Sequence, residues 1–310
     1  NIYIIIPFLV IPQLILSGVF VSFDQLNPNL SNVKGVPWYS EVIISRWSFE
    51  AIATHQFMNN KYEREFYIYD KAKSQSIYYK DYWVPSLSNH LEKAKKYNLV
   101  NHLDAGALKY SLDIIRNEIE DKQKIFPSLP KTDLACIKPI SFNDSIYKNI
   151  KEYLEGVKII FINRYNKADE LHEQRRKKII QENADSLFYL SQLKAKYQNE
   201  NLEKFMRNSN HLLSNKILEY DRRLWQKTDP IFQDPSSGIF TAQLLAPYKI
   251  VGSYKMDTYT FNIIMIWIGN IILFILLYFG ILSKAVNAGK SARYKIRKKS
   301  HSHVDEQMIK

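Results

Sequence analysis

The 310 residues contain one cysteine, Cys136, so no intrachain disulfide is possible and any large folded region is held by packing. Glycine and proline are scarce, at nine and eleven residues, and between Pro139 and Pro230 there is no proline and only Gly156. That interval lacks the usual punctuation of turns, which excludes a β-rich fold there and points to long helices. Five of the seven histidines (His55, His90, His102, His172, His211) are scattered without an i,i+4 pair, and His301 and His303 lie close together near the end of the chain. Two histidines on a polar tail make a weak metal site. Gly289-Lys290-Ser291 ends like a phosphate-binding loop, but the first glycine of that motif falls on Lys284 and an apolar run precedes it instead of a buried strand. With no nucleophile–base pair or metal spacing, we expect no catalytic residues, no metal and no bound cofactor in this segment.

Charge is absent from two stretches at opposite ends of the chain. Ile2–Val21 is an apolar run broken mainly by Gln13 and Ser17, and Phe261–Leu282 carries no charged residue. A hydrocarbon core is crossed by about 20 helical residues. The mean hydropathy of −0.30 hides this segregation. A secretory signal is disfavoured for the first run, which has no basic start and no small-residue cleavage site. Pro7 and Pro12 would kink a lone helix and are tolerated where neighbours satisfy the freed carbonyls. The chain opens at Asn1, already inside an apolar run and without an initiator methionine, so we expect the C-terminal part of a longer protein.

The net charge is +12, and half of it sits in residues 283–310, where eight Lys/Arg (Lys284, Lys290, Arg293, Lys295, Arg297, Lys298, Lys299, Lys310) oppose Asp305 and Glu306. Basic residues beside a span stay cytoplasmic. Two spans then place residues 23–258 outside the cytoplasm, at a plasma or bacterial inner membrane. An external location disfavours nucleic acid as a partner for the charge run Glu170–Lys178, which reads as a solvated face or a hairpin tip.

The expected fold class is all-α: two transmembrane helices flanking a large extracytoplasmic helical domain with long antiparallel helices. The expected divisions are a span at 1–22, a re-entrant or interfacial helical segment at 23–60, an external helical domain at 61–258, a second span at 259–283 and a basic tail at 284–310. Tyr39–Asn59 reads as one helix, with Arg46 and Glu50 four apart and able to pair. The aromatics Tyr62, Phe66, Tyr67, Tyr69, Tyr78, Tyr79, Tyr82 and Trp83 read as packing in preference to a sugar-stacking surface, and Trp83-Val84-Pro85 closes that section. Ser86–Ile125 reads as one or two helices with a turn near Asn101–Ala107. Helical spacing recurs over Ile146–Phe161, at Leu187, Leu190, Leu193 and Tyr197, and at Leu213, Ile217, Tyr220 and Leu224. Asp229–Tyr254 reads as irregular, and Asp257-Thr258 as a cap on the second span.

Ser17-Gly18, followed by Ser45-Arg46-Trp47-Ser48-Phe49-Glu50-Ala51-Ile52 and His55-Gln56-Phe57, resembles ATP-binding-cassette transporters of subfamily G (white/pigment) with an ABC-2 type permease. Asp229-Pro230-Ile231-Phe232, Ala246-Pro247-Tyr248-Lys249 and Asp257–Lys284 look like the approach to, and body of, the sixth span of bacterial, Bacteroidetes-like relatives. In this chain Ile44-Ser45 replaces the family's Ser-Pro step, Trp47 its tyrosine and Ser48 its glycine. The resemblance covers about a third of the chain and leaves roughly Ser86–Trp225 unaccounted for. It implies an exporter half in the lipid bilayer, working as a homodimer or with a second permease half. It also implies a nucleotide-binding domain upstream in the same longer chain, where ATP and Mg would bind. By position it puts an apolar translocation gate on Val19 and Phe20, and it makes Arg46 and Glu50 candidates for anchoring the re-entrant helix. The competing expectation is a two-span sensor or scaffold with a helical external interaction domain.

Overall fold

A computed structural model describes residues 2–19, 23, 35–99, 105–125, 133–182, 186–208, 216–235, 238 and 241–280. The chain divides into two compact units, Asn1–Phe261 and Asn262–Lys310. The described residues are mostly helical, with two short antiparallel hairpins. The basic tail, its two histidines and the Gly289-Lys290-Ser291 stretch lie outside the described residues.

The apolar start forms α1 (Ile2–Leu16), 15 residues. At about 1.5 Å per residue it is shorter than a hydrocarbon core is thick. The helix stops at Ser17-Gly18, where Gly18 takes φ +76° and a Cβ would fall 2.4 Å from the Phe23 ring. Only α10 (Thr258–Tyr278) is, among the described residues, long and apolar enough to cross a membrane. Its 21 residues carry no charge, and Trp267, Phe274 and Leu277 are exposed. Asp257 caps it as expected, its carboxylate accepting from the amides of Tyr259 (3.0 Å) and Thr260 (3.4 Å).

The single helix expected over Tyr39–Asn59 is two: α2 (Trp38–Glu41) and α3 (Ile44–Asn59), with Ile43 extended between them. Consecutive β-branched Val42, Ile43 and Ile44 disfavour a continuous helix. α4 (Glu63–Ile77) follows. Trp83-Val84-Pro85 does not end the helical run. A wide π-type turn over Tyr78–Trp83 leads directly into α5 (Val84–Leu99), so the missing amide of Pro85 is absorbed by a local change of winding. α6 (Ala105–Ile125), α7 (Asp144–Glu182), α8 (Ser186–Tyr197) and α9 (Glu200–Met206) complete the helical part.

The main core follows the helical periods. Leu87, Leu91 and Ala94 of α5 meet Leu108, Leu112, Ile115 and Ile119 of α6 and Ile150, Leu154, Val157 and Phe161 of α7, all buried. Full burial of each large aliphatic contributes roughly 1.5–3 kcal/mol. Tyr78, Tyr79 and Trp83 belong to this core, with Tyr79 stacked on Phe161 at 4.3 Å between ring centres. This part of the aromatic stretch is packing. Antiparallel to α4 runs α7, joined by Arg164–Gln75 (3.0 Å) near one end and the Arg175–Glu65 pair near the other. The Glu170–Lys178 charge run lies mostly on the solvated side of α7.

The helical spacing at Ile217, Tyr220 and Leu224 is overturned. β1 (Ile217–Tyr220) and β2 (Arg223–Gln226) form a hairpin, with Asp221 and Arg222 both at positive φ (53° and 55°). Two such residues make a type I′ turn, whose twist suits paired strands. The hairpin is held from α6 by three carboxylates. Asp113 binds Arg222 (2.9 Å), Asp121 pairs with Arg223, and buried Glu118 accepts from the Leu224 amide (2.8 Å) and the Trp83 indole (2.7 Å). The region expected to be irregular contains a second hairpin, β3 (Tyr248–Val251) with β4 (Tyr254–Asp257), turned at Gly252 with φ +62°.

Glu118→Ala strands two buried donors, at roughly 1–3 kcal/mol each. Denaturant unfolding of the chain in detergent, followed by tryptophan fluorescence, is expected to show that loss, with Glu118→Gln costing less because it keeps one acceptor.

Candidate functional site

The most tightly built polar group in the described residues lies where α2 and α3 meet the chain just before β3. α3 places Arg46 and Glu50 one turn apart on its inner face, and both are 0 % exposed. The pair expected from their spacing is formed, with Arg46 Nη1 donating to Glu50 Oε2 at 3.0 Å. Arg46 also donates through Nε to the Ser40 carbonyl (3.1 Å), pairs with Glu41, and lies 3.5 Å over the Trp47 ring. The second oxygen of Glu50 accepts from Lys249 Nζ (2.7 Å) and from the Leu245 amide (3.0 Å). Two acids and two bases are thus closed on each other, and the guanidinium is satisfied on three sides.

The surroundings are apolar and aromatic. Trp47 donates its indole N–H to the Glu41 carbonyl (2.8 Å) and its ring meets Phe261 at 5.8 Å. Next to the cluster, Ala53 and Phe57 of α3 pack with Met206, Ile231, Phe232 and Leu245. Thr258 donates to the Ala246 carbonyl (2.6 Å), so the loop carrying Lys249 is tied to the first residue of α10. Trp38 and Val42, by contrast, are 80 % and 76 % exposed, and Ile52 is also exposed. α3 therefore buries two charged side chains beside Trp47, Ala51, Ala53 and Phe57, while Trp38, Val42 and Ile52 are apolar residues left uncovered.

Two carboxylic acids stand out electrostatically. Burial pushes Glu41 up to about 7 despite Arg46 and Lys249 beside it. Glu63, at the start of α4 and 7 % exposed, is pushed up to about 7 by burial and by the like charges of Glu203 and Asp70, against Arg207 and Lys194. A carboxyl whose folded-state pKa is raised holds its proton longer when folded. The fold is at full strength below the ordinary carboxylate value and loses stability as pH rises from there through about 7.

Val19 is half-buried in the turn after α1, where its amide donates to Ser17 Oγ (3.3 Å). Phe20 lies outside the described residues. The structure thus brings Arg46 and Glu50 together and places Val19 on a different element. Sequence spacing missed Lys249, Glu41 and Glu63. The signal for Lys249 was the Ala246-Pro247-Tyr248-Lys249 string, noted only for its resemblance. Glu41 and Glu63 carry no local signal, because their burial comes from distant segments. No group of three or more His, Cys, Asp or Glu among the described residues is placed to hold a metal ion. Comparison of the chain with protein-family models, curated proteins and solved structures gave no match.

Removing one member of a buried ion cluster is strongly destabilising, since the survivor is left charged and unpaired. Lys249→Met and Glu50→Gln are each expected to lower stability by about 3–5 kcal/mol. Together they should fall short of the sum by about 0.5–3 kcal/mol in a double-mutant cycle of denaturant unfolding.

Proposed function

We propose that this chain is the permease end of an ATP-driven exporter of the ABC-2 type. In this reading α1 with the residues up to 22 forms one span, α10 forms the other, and residues 23–258 are extracytoplasmic. The chain itself is not an enzyme; ATP and Mg are bound by a nucleotide-binding domain elsewhere in the longer protein, and two permease halves line one pathway. The observation that carries the reading is the Glu50–Lys249 contact, made across 199 residues of sequence. It joins the two segments that resemble the transporter family, Ser45–Ile52 and Ala246–Lys249, in one buried cluster. Charges hidden on α3, with Trp38 and Val42 exposed just before it, fit a segment seated at membrane depth.

A sensor or scaffold remains the second reading, favoured by the extent of α4–α9 and the β1–β2 hairpin, for which the resemblance gives no counterpart. A protein with two plain anchors, however, has no use for a charge-locked helix beside one of them.

An apolar constriction closes by excluding water. Val19→Ala with Phe20→Ala in the full-length protein in lipid nanodiscs is therefore expected to alter both export and the ATP hydrolysis coupled to it. Unchanged rates of both would remove the gate, and absence of any ATP hydrolysis from the full-length protein would remove the transport reading itself.

A further inference from the structure

α8 is covered on one side only. Its inner face, Leu190, Leu193 and Tyr197, recurs at steps of three and four residues, is half-buried, and packs on α7. Its outward face, Phe188, Ser191, Gln192 and Ala195, is exposed. Phe188 is 65 % exposed and the adjacent Tyr189 is exposed as well. At 3.6 residues per turn, Lys194 and Lys196 fall one on each side of that outward face, and both are exposed. Aromatic side chains flanked by lysines are the composition of a helix lying in the interface of a bilayer.

The charge around this face is positive and partly uncommitted. From Glu173 to Tyr197 the sequence holds six Lys/Arg against three acids, of which Asp185 lies outside the described residues. Glu173 holds Arg176 at 3.2 Å, Glu182 lies 3.9 Å from Lys178, and Arg175 is taken by Glu65. On α9, Glu200 and Glu203 share a cavity wall with Lys194, but Glu203 is committed to Arg207 at 3.3 Å. Lys177, Lys194 and Lys196 are exposed and have no carboxylate at ion-pair distance among the described residues. The placement also suits a membrane. Lys61, at the corner between α3 and α4, lies 5.4 Å over the Tyr197 ring, and Phe205 of α9 meets Phe49 of α3. α3 in turn carries Trp47 against Phe261 and His55 against Tyr259, both in the first turn of α10.

We infer that the outward face of α8 rests on an anionic lipid surface. Phe188 and Tyr189 enter the headgroup region, where aromatic rings are at home, and Lys194 and Lys196 meet lipid phosphates on either side of them. The aromatic pair alone buries too little for stable contact, so the lysines make the contact selective for anionic lipid and sensitive to salt. The inference rests on α10 anchoring the chain in a bilayer and is independent of transport.

The test uses the whole chain in nanodiscs whose lipid tails carry a nitroxide quencher. Gln192→Cys in a Cys136→Ser background, labelled with an environment-sensitive fluorophore, reports from the outward face one turn after Phe188. In discs containing phosphatidylglycerol the emission is expected to shift to the blue and to be quenched, and in discs of phosphatidylcholine alone to do neither. Exposed Cys136, labelled in the otherwise unchanged chain, is the reference, because it lies shortly before the 39 residues of α7, which run about 58 Å to the α8 end. It stays unquenched in both discs. Lys194→Gln with Lys196→Gln is expected to weaken the contact about 25-fold, at about fivefold per lysine. Phe188→Ser is expected to remove the quenching, and since all three side chains are exposed the variants keep the fold. Co-elution of the chain with the discs reads the anchoring by α10 separately. With the chain anchored, a label never quenched, or quenched equally in phosphatidylcholine or in the lysine variant, would overturn the inference. A blue shift without lipid quenching would overturn it too and would assign the face to a protein partner.

Discussion

Arg46 and Glu50 are buried completely, and the cost of taking two charges out of water dictates how this end of the molecule is built. Desolvation of each ion costs several kcal/mol after relaxation, so a buried pair persists only when its remaining donors and acceptors are satisfied. Here Glu50 takes Arg46 on one oxygen and Lys249 with the Leu245 amide on the other, while Arg46 reaches back to Glu41 and the Ser40 carbonyl. None of these contacts can be made unless α2, α3 and the strand-bearing loop before α10 hold one arrangement. The cluster is a poor source of stability compared with an apolar core of the same volume. Its value lies in specificity, since a shifted α3 would leave charges stranded.

From that constraint the neighbouring structure follows. Phe57 packs with Phe232 and Leu245 because α3 is pinned there, and Phe49 meets Phe205 of α9 at 5.3 Å. α9 in turn carries Arg207 to Asp229, whose left-handed backbone (φ 52°) turns the chain into Pro230-Ile231-Phe232. The main core of α5, α6 and α7 is organised differently, by apolar periodicity, with buried Asp113, Glu118 and His90 and the core residue Leu224 linking it to the β1–β2 hairpin. The chain thus has an ordinary helical core and, near the start of α10, a charge-specified joint.

The helical parts were legible because the interval from Asp144 to Glu182 has a clean apolar period and almost no breakers. The Arg46–Glu50 pair was legible from its four-residue spacing. Three features were not. A continuous Tyr39–Asn59 helix ignored the β-branched run at Val42–Ile44. The hairpin at Ile217–Gln226 imitates a helical period, since Ile217, Tyr220 and Leu224 are spaced for either; the decision rests on Asp221 and Arg222 tolerating positive φ and on carboxylates from α6, which local sequence does not display. Lys249 looked like any surface lysine until the fold carried it 199 residues back to Glu50.

The measurement that bears most directly on this account is amide hydrogen exchange of the chain in nanodiscs, comparing wild type with Lys249→Met. If the ion cluster holds α3 to the loop before α10, the variant loses protection together in Ile44–Asn59 and in residues 242–250, while α5, α6 and the first half of α7 stay protected. If α3 keeps its full protection without Lys249, its position is set by apolar contacts alone and the account is contradicted.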